Sequence, residues 1–419
     1  MNLGRDWQAQ VDEKGRLVLP PEAAARYGLL PGAQVRLDAN GDDLRLRRPV
    51  TQLAKLYVEP TNRCNLACRT CVRNVWDEPL GVMDDTTFEH ILRGLHVASS
   101  PPNVFFGGFG EPLAHPDIVG MVAQTKALGG RVELITNGTM LSEPLSRQLI
   151  TAGLDTLWVS LDGARPESYA DVRLGAELPQ VLDNIAHFRD ARRPGLNRVP
   201  TPHIGIAFVA MRRNIADLPD LLRLGRHLGV SHYSVSNVLP YTKEMCSEVL
   251  CNGSLTQITY LPSIWVPHLN LPKIDLQADT REALYRVLRG RENVSYAGMN
   301  LGAANDRCPF IEGGSAAIGW DGGLSPCLPL LHSHTSYLGE RPRLSRRYEV
   351  GNVNQVALSE LWQAAGHIAF RQRVQAFDFA PCTFCGGCEM AEANQEDCFG
   401  NEFPTCGGCL WAQGVIQCP

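Results

Sequence analysis

Between residues 51 and 240 the chain alternates short apolar runs with longer stretches of helical periodicity. Six of the apolar runs predict buried strands, and the stretches between them predict helices. Such repeats predict an α/β fold with a parallel sheet, closed or partly closed as a partial (β/α)6 barrel, whose ligands gather at the carboxyl ends of the strands. The predicted strands cover residues 56–58, 104–106, 132–136, 156–160, 204–210 and 233–235, and the helices begin near 84 and cover 117–128, 143–152, 166–188 and 217–228.

The two ends of the chain have other patterns. Residues 1–50 predict a small β-rich unit, in which a hairpin, a short helix over 22–27 and a second hairpin follow one another. From residue 305 the sequence shifts to Gly, Cys and short turns, with one helix near 358–374. We therefore expect four units: the β-rich unit over 1–50, the barrel over 51–240, a connecting region over 241–304 with a helix near 280–289, and a cysteine-rich domain over 305–419.

Composition excludes several classes of protein. The chain has 419 residues, of which 44% are hydrophobic and 20% charged, as in a folded globular protein with a sizeable core. Its net charge of −5 gives no reason to expect nucleic acid as the main partner. No apolar run reaches 18 residues and the first residues lack the pattern of a signal peptide, so we expect a cytoplasmic protein with no membrane contact. Fourteen cysteines in a reducing compartment indicate metal rather than disulfides.

The loop after the first predicted strand, residues 59–71, carries Cys64, Cys68 and Cys71 and is called the cysteine loop below. Its Cys-x3-Cys-x2-Cys spacing allows three thiolates to ligate three irons of a [4Fe–4S] cluster and leaves the fourth iron open to a substrate. Structural zinc is the alternative, but it needs four ligands, and the next Cys or His along the chain is His90. The three cysteines are therefore candidate catalytic and metal-ligating residues.

The cysteine motif closely resembles that of the radical SAM enzymes, except that Thr70 stands where the family usually has an aromatic residue. The resemblance implies that a reduced [4Fe–4S] cluster cleaves S-adenosylmethionine to a 5′-deoxyadenosyl radical, which abstracts hydrogen from a substrate. It also implies contacts with S-adenosylmethionine at successive strand ends, because turns of the family's kind follow the strands in the right order. These candidate cofactor-binding residues are Gly107, Gly108 and Glu111 after the second strand, Asn137 after the third, Ser160 and Asp162 after the fourth, and Ile206 and Val238 beside the adenine.

Nine further cysteines lie between residues 308 and 418. Cys382, Cys385, Cys406 and Cys409 have the spacing of a zinc ribbon, but that interpretation leaves five of the nine unused. The set resembles the SPASM domain, which implies two auxiliary [4Fe–4S] clusters, although the short spacing after Cys385 leaves the ligands unassigned to either cluster. The candidate metal ligands are Cys308, Cys327, Cys382, Cys385, Cys388, Cys398, Cys406, Cys409 and Cys418.

The first 50 residues resemble the AbrB-like swapped-hairpin domain through the elements Gly-Arg-Leu-Val-Leu-Pro at 15–20 and Leu-Leu-Pro-Gly-Ala-Gln-Val at 29–35. This resemblance implies a homodimer or DNA binding through residues 1–50. Eight basic against seven acidic residues favour dimerisation or docking over DNA. Together with the cysteine-rich end over 386–419, the chain resembles the radical SAM maturases that accompany tungsten-containing aldehyde:ferredoxin oxidoreductases.

The resemblance to these maturases implies a peptide or protein substrate, either a side chain of the partner oxidoreductase or a small companion peptide, with the pterin cofactor as the alternative target. We also expect a low-potential electron donor such as ferredoxin or flavodoxin. Two other hypotheses stay open. One is a different SPASM peptide modification, such as a thioether or other crosslink or a sulfatase-type dehydrogenation. The other is a non-enzymatic iron–sulfur redox sensor that binds DNA through 1–50, which is disfavoured because a sensor needs no S-adenosylmethionine contacts.

Four residues after the sixth predicted strand are candidates for a role in the reaction. Cys246 and Cys251 lie near the predicted mouth of the barrel, and we favour ordinary buried thiols over a thiol pair that takes part in the reaction. Tyr241 and Glu244 are candidate proton donors or acceptors at the site.

Charge and histidines in the last third of the chain give weaker signals. His332 and His334 are predicted to lie on a surface loop, with ligation or orientation of the substrate as the alternative. The tail over 377–419 holds six acidic residues and no Lys or Arg, which predicts low reduction potentials for its clusters. A basic run precedes the tail and predicts a solvated loop, with a docking patch as the alternative; it consists of Arg341, Arg343, Arg346 and Arg347.

Overall fold

A computed structural model of the protein describes residues 7–40, 43–96, 101–194, 200–251, 268–289, 293–296, 299–300, 307–383 and 388–419. Nine of its strands form one sheet. In chain order they are β1 (Lys55–Val58), β2 (Asn103–Phe106), β3 (Val132–Thr136), β4 (Thr156–Ser160), β5 (His203–Ala210), β6 (His232–Asn237), β7 (Ser315–Ile318), β8 (Gly323–Ser325) and β9 (Gly351–Asn352). The order across the sheet is β6-β5-β4-β3-β2-β1-β7-β8-β9. All six predicted strands are present as β1–β6 and run parallel, which confirms the predicted α/β class.

The large sheet separates two apolar layers, because successive side chains of a strand point to opposite faces. In β1, Leu56 and Val58 belong to the layer that also contains Phe88 of the following helix. Tyr57, which lies between them, belongs to the opposite layer together with Phe105 of β2. That second layer includes many residues between 308 and 418, so the cysteine-rich region covers the inner face of the barrel sheet.

Helices cover the outer face of the sheet. The first of them buries Phe88, Ile91 and Leu95, which share one face at helical spacing. The fourth strand is preceded by a helix that begins at Ser142, whose Oγ accepts a hydrogen bond from Leu145 N–H at 3.4 Å. The helices of this layer are Asp85–His96, Ile118–Ala127, Glu143–Thr151, Pro166–Val172, Leu178–Ala191 and Leu218–His227.

The single helix predicted over 166–188 is wrong. The structure has two helices there, separated by residues 173–177. Gly175 lies in this break with a φ of +93°, in the left-handed region that residues with a Cβ rarely adopt. The break places Arg173 among the side chains at the carboxyl ends of the strands. A helical pattern that continues through 175 hides this loop.

The cysteine-rich region joins the barrel sheet directly. β7 runs parallel to β1, with Ser315 opposite Lys55 and Ile318 opposite Val58, and β8 and β9 extend the sheet with antiparallel pairing. The sheet therefore crosses the predicted boundary at 305. The helix predicted over 358–374 is divided at Ala364, whose backbone is extended. Beyond the sheet, the region has a hairpin of His334–Leu338 and Arg341–Ser345 and the helices Pro309–Glu312, Leu358–Gln363 and Ala365–Ala376.

The N-terminal unit contains the predicted hairpin, helix and hairpin. The strands Gln10–Val11 and Leu17–Val18 pair antiparallel, as do Leu37–Asn40 and Asp43–Leu46, and the helix Pro21–Tyr27 lies between them. Apolar side chains on both hairpins are exposed to solvent. They are Val11, Leu17, Val18, Leu37, Leu44 and Leu46.

In the connecting region, the predicted helix near 280–289 is present as Arg281–Arg289. The described strands His268–Leu271, Asn293–Tyr296 and Met299–Asn300 form a small separate sheet. None of the helices in the described ranges has the length and apolar character that crossing a bilayer requires.

Candidate active site

A cleft of about 770 Å³ opens at the carboxyl ends of the barrel strands and is called the strand-end cleft below. Side chains and backbone from six separate segments meet there, as expected for a parallel sheet of this class. Seven of the predicted site residues line it, namely Cys64, Cys68, Cys71, Gly108, Glu111, Asn137 and Ser160, together with Thr70, Arg173 and Tyr241.

The cysteine loop is anchored on the break between the two helices described above. Arg69 N–H donates a hydrogen bond to Val172 O at 2.9 Å, and Cys71 N–H donates to Cys68 O at 3.0 Å. Burial raises the pKa of the Cys64 and Cys68 thiols. Because iron binds the thiolate, loading of a cluster must release these protons.

Glu111, which follows β2, is buried and links the loops at the ends of β2 and β3. Its Oε1 accepts hydrogen bonds from Thr136 Oγ1 at 2.7 Å and from Leu113 N–H at 3.0 Å, and its Oε2 accepts from Asn137 N–H at 2.7 Å. Burial raises the pKa of Glu111 although these three hydrogen bonds oppose the shift. A carboxylate has about four lone-pair positions, so one position is left for a donor on a ligand in the strand-end cleft.

Asn137 brings the end of β3 against the cysteine loop. Its Nδ2 donates to Asn65 Oδ1 at 2.9 Å and lies 3.8 Å from Cys64 Sγ. Its Oδ1 accepts from Thr139 N–H at 2.9 Å, which fixes the orientation of the amide. The side chain can therefore hold the first cysteine and still present its edge to the strand-end cleft.

Arg173 is a residue of the strand-end cleft that sequence reasoning missed. Its Nε and Nη2 lie 2.7 and 2.6 Å from Asp162 Oδ2, and its Nη1 lies 3.8 Å from Cys68 Sγ. Burial alone would lower the pKa of Arg173, but Asp162 and Cys68 raise it above its ordinary value. A fixed positive charge therefore lies beside a thiol of the cysteine loop. Gly175 inside a helical pattern is the signal in the sequence for the break that makes this possible.

Four predicted cofactor-binding residues are not on the wall of the strand-end cleft. Asp162 is completely buried and holds Arg173. Ile206 and Val238 pack inside apolar clusters. Gly107 lies at the end of β2, where a Cβ would come within 2.6 Å of Ile135 Cγ2. Direct contact of these four with S-adenosylmethionine stays a prediction.

Gly110 allows the loop after β2 to approach the cysteine loop closely. A Cβ at this position would lie 2.1 Å from Thr61 O and 2.6 Å from Arg63 O, and both are backbone atoms. Glu111 N–H donates to the same Arg63 carbonyl at 2.8 Å. The backbone that leads into Cys64 is thus held by a contact that only glycine permits.

A second cavity lies in the cysteine-rich region and is called the thiol cavity below. Cys308, Cys327, Cys406 and Cys409 all line it. Burial raises the pKa of each of these thiols, to about 12 for Cys308. In the described part of the chain no three of His, Cys, Asp and Glu converge closely enough to hold a single metal ion. The four thiols are spread around a cavity instead, an arrangement that suits a cluster of several irons.

The other predicted auxiliary ligands lie around the thiol cavity or at the surface. Cys382 is buried, Cys388 is half-buried and Cys398 is exposed. Cys418 Sγ accepts a hydrogen bond from Trp411 Nε1 at 3.3 Å. Cys385 lies outside the described residues. No described cysteine is in a disulfide.

Tyr241 and His334 lie between the two cavities. Tyr241 lines the strand-end cleft, His334 lines the thiol cavity, and their ring centroids are 5.7 Å apart. The prediction that His332 and His334 lie on a surface loop is wrong, since both are buried. His332 Nε2 lies 2.7 Å from Glu59 Oε2, at the start of the cysteine loop.

The remaining residues after β6 lie away from the wall of the strand-end cleft. Cys251 is buried in an apolar cluster that also contains Met245, and Cys246 is half-buried. Glu244 is largely exposed, and its carboxylate lies 3.5 Å from Arg69 Nη1.

Comparison with known protein families matches residues 58–224 to the radical SAM superfamily and residues 308–389 to the SPASM iron–sulfur cluster-binding domain. The chain is therefore a radical SAM enzyme with a SPASM domain. This class implies a [4Fe–4S] cluster, S-adenosylmethionine and auxiliary iron–sulfur clusters, as the resemblances noted in the sequence imply. Its S-adenosylmethionine chemistry disfavours the non-enzymatic sensor.

Among individual relatives, the tungsten-containing aldehyde ferredoxin oxidoreductase cofactor-modifying protein of Pyrococcus furiosus is 30% identical over 376 residues, covering 87% of this chain and 96% of the relative. The chain belongs to the family of that protein, which confirms the predicted family. An AdoMet-dependent heme synthase of Nitratidesulfovibrio vulgaris is 23% identical, and the match covers 83% of this chain and 90% of the synthase. The crystal structure of Streptococcus suis SuiB bound to S-adenosylmethionine superposes with a TM-score of 0.50 at 16% identity, over 80% of this chain and 71% of that one, and supports the fold alone. The AbrB-like resemblance of residues 1–50 stays a prediction.

Proposed function

We propose that this protein is a maturase that modifies a partner tungsten-containing oxidoreductase, at a peptide or protein side chain or at the cofactor. The single observation that carries the proposal is the gathering of Cys64, Cys68, Cys71 and Glu111 around one cleft in a chain whose relative has a cofactor-modifying name. We favour a side chain of the partner, or a small companion peptide, over the pterin.

The residues of the strand-end cleft fit the [4Fe–4S] cluster that the radical SAM class implies. Cys64, Cys68 and Cys71 would hold a [4Fe–4S] cluster through three thiolates, and the guanidinium of Arg173, which is paired with Asp162, lies 3.8 Å from one of their sulfur atoms. When bound, the cluster and S-adenosylmethionine supply the one-electron chemistry that removes a hydrogen atom from a substrate carbon.

The protein's own part is to bind, orient and exclude water. The unused acceptor position on Glu111 would receive the ammonium group of S-adenosylmethionine, because a buried carboxylate binds a cation strongly. Thr136 and Asn137 hold that carboxylate in place, so little reorganisation accompanies binding. Tyr241 closes the side of the cleft that faces the thiol cavity and keeps solvent from the reacting atoms.

Chemistry in the strand-end cleft is tested by incubating the reconstituted protein with S-adenosylmethionine and dithionite under anaerobic conditions. We expect 5′-deoxyadenosine, and we expect none from Cys64→Ala, Cys68→Ala or Cys71→Ala. Cys246→Ser is the matched control and should produce the wild-type amount, because Cys246 is not on the wall of the cleft. Product formation that survives loss of the three cysteines would contradict the assignment.

The substrate is tested by mass spectrometry of a tungsten oxidoreductase expressed with and without this protein. A mass change on one of its peptides, or on a companion peptide, supports side-chain modification. An unchanged peptide map with an altered pterin contradicts the preference for a side chain but still supports a maturase. If neither the peptides nor the pterin change, the proposed partner is contradicted.

We also propose a homodimer through residues 1–50 and reduction by a low-potential donor such as ferredoxin or flavodoxin. Support for the dimer comes from the several exposed apolar side chains on both hairpins, since apolar side chains gathered at a surface mark protein–protein contacts. Light scattering should give twice the chain mass, falling to one chain for Leu17→Asp with Leu44→Asp. Leu276→Asp, at an exposed leucine outside the unit, should leave the dimer intact. A monomeric wild-type protein contradicts the proposal.

A further inference from the structure

The basic run 341–347 is not the uniformly solvated loop that its sequence predicts. Arg346 is exposed, and Arg347 pairs with Asp321 at 2.8 Å. Arg343, by contrast, is 93% buried and lines the thiol cavity. The strand Arg341–Ser345 pairs with His334–Leu338, which turns the side chain at 343 away from solvent.

The fold makes room for the Arg343 guanidinium. A Cβ at Gly408 would lie 2.4 Å from Arg343 Cζ and 2.6 Å from its Nη1 and Nη2, so a side chain at 408 would displace the guanidinium. Gly408 stands between Cys406 and Cys409, two of the four thiols of the cavity. Arg343 Nη1 also donates to the carbonyl oxygen of Ala391. The guanidinium is therefore held directly against the Cys-x2-Cys turn.

Among the described residues, Arg343 has no carboxylate as its counter-ion. Within the ranges that the structure describes, no Asp or Glu oxygen lies within 4.0 Å of its guanidinium, whereas Arg341 and Arg347 both have acidic partners. Burial lowers the pKa of Arg343, and the nearby groups that oppose this are the thiols of Cys382, Cys409 and Cys406. An arginine buried without a carboxylate is strongly disfavoured unless another anion compensates for it.

The anion that fits is a thiolate-ligated cluster. Cys406 and Cys409 belong to the thiol cavity, and the guanidinium lies against the turn that carries them. We infer that Arg343 is the counter-charge of the auxiliary cluster that the thiol cavity would hold, and that it raises the reduction potential of that cluster. A fixed positive charge stabilises the reduced, more negative form of a cluster relative to the oxidised form.

Other cations come near the same cysteines from elements outside the tail. Arg373 lowers the pKa of Cys406 together with Arg343, although burial dominates and raises it. Lys55 of β1 likewise lowers the pKa of Cys418, against the larger effect of burial. The low potentials expected from an acidic tail are thus opposed by cations that residues outside 377–419 contribute, and Arg343 is the one held against the turn of Cys406 and Cys409.

The test compares reduction potentials by EPR-monitored redox titration of the full chain. The background carries Cys64→Ala, Cys68→Ala and Cys71→Ala, so that only auxiliary clusters contribute and no S-adenosylmethionine chemistry is needed. In Arg343→Gln we expect the ratio of reduced to oxidised auxiliary cluster at a fixed potential to fall by about tenfold, a shift of about 59 mV to more negative values for a one-electron couple. Arg346→Gln removes the same charge from an exposed position of the same run and should leave the potentials unchanged.

Iron content and a charge-retaining variant show whether Arg343 acts through its charge or through its packing. Arg343→Lys should keep the iron and stay closer to the wild-type potential than Arg343→Gln does. Equal potentials in Arg343→Gln, Arg346→Gln and the parent protein would overturn the inference. Loss of auxiliary iron from both Arg343 variants, with full iron in Arg346→Gln, would also overturn it, because shape rather than charge would then be what the site requires.

Discussion

Asp162 Oδ2 lies 2.7 Å from Arg173 Nε and 2.6 Å from Arg173 Nη2, and the guanidinium held in this way lies 3.8 Å from Cys68 Sγ. Asp162 is completely buried and also accepts Val209 N–H at 2.8 Å. The end of β4 therefore acts on the cysteine loop through an intermediate cation. Removing the carboxylate leaves a buried positive charge without its partner.

We expect Asp162→Asn to destabilise the protein by about 3–5 kcal/mol, as for other buried ion pairs that lose one member. Denaturant unfolding of the anaerobic protein measures this change. Asp220→Asn removes an acidic partner from a solvent-exposed i,i+3 pair and should leave the unfolding midpoint unchanged. Equal stability of the two variants would show that Arg173 does not depend on Asp162.

Glu111→Gln should weaken the binding of S-adenosylmethionine at least about tenfold, or about 1.4 kcal/mol. The amide lacks the charge that would attract the ammonium group, and its NH₂ would replace one of the two oxygens and face the donor there, either Thr136 Oγ1 or Asn137 N–H. Equilibrium dialysis on cluster-loaded protein measures the affinity, with iron content as the check on folding. Glu143→Gln, on an exposed helix start, should bind normally. Unchanged affinity in Glu111→Gln would remove this residue from the proposed site.

The contact of His332 with Glu59 makes stability depend on pH. Burial alone would lower the pKa of His332, but the hydrogen bond and charge of Glu59, with a contribution from Glu78, raise it above 6.5. A group with a raised pKa in the folded state stabilises the protein fully below its unfolded-state pKa and loses this contribution as pH rises through the folded-state value. We therefore expect the stability difference between wild type and His332→Gln to be largest below about pH 6.5.

Thermal unfolding of both proteins at a series of pH values above and below 6.5 tests this dependence. The difference in midpoint should shrink as pH rises. His227→Gln supplies the control, because that histidine lies on an outer helix away from both cavities. A difference between wild type and His332→Gln that is constant across the series would mean that His332 contributes as a neutral ring, packed against Trp76 and Phe109.

Gly110→Ala should reduce iron loading of the cysteine loop, because the new Cβ would meet two backbone carbonyls rather than a movable side chain. Iron and sulfide analysis after reconstitution measures the loss, which we expect to be about four irons per chain at full effect. Gly366→Ala places a methyl group in open space on a helix and should keep all the iron. It should also raise stability slightly, by about 0.4–1 kcal/mol. Full iron loading of Gly110→Ala would mean that the cysteine loop binds its iron without close contact with the loop after β2.

Local patterns predict the elements of this fold well, because apolar runs and their spacing report which side of a strand or helix is buried. All six barrel strands and both N-terminal hairpins follow from them. The break at 173–177 does not, since Gly175 weakens a helix without forcing it to end there, and the tertiary contact of Arg173 with Asp162 decides the outcome.

Predicting the site from sequence succeeds where residue types and spacing alone define the chemistry. Cys64, Cys68 and Cys71 belong to a short segment, so their proximity is local. The burial of His332 and Arg343 depends on elements that meet only in the folded chain: Glu59 precedes His332 by more than half the sequence, and Gly408 makes room for Arg343 from the tail. Such contacts have no local pattern, so a polar run with histidines and arginines is indistinguishable from a surface loop.

The parallel pairing of β7 with β1 has a consequence for the order of assembly. β1 leads into the cysteine loop, and one of its edges has no partner until Ser315–Ile318 has been synthesised. A contact so distant in sequence forms late, because closing a long loop is slow compared with pairing of neighbours. During synthesis the nascent barrel therefore presents an open strand edge, next to the start of the cysteine loop, until β7 has paired with β1. This makes chains that stop before residue 315 prone to aggregate through that edge.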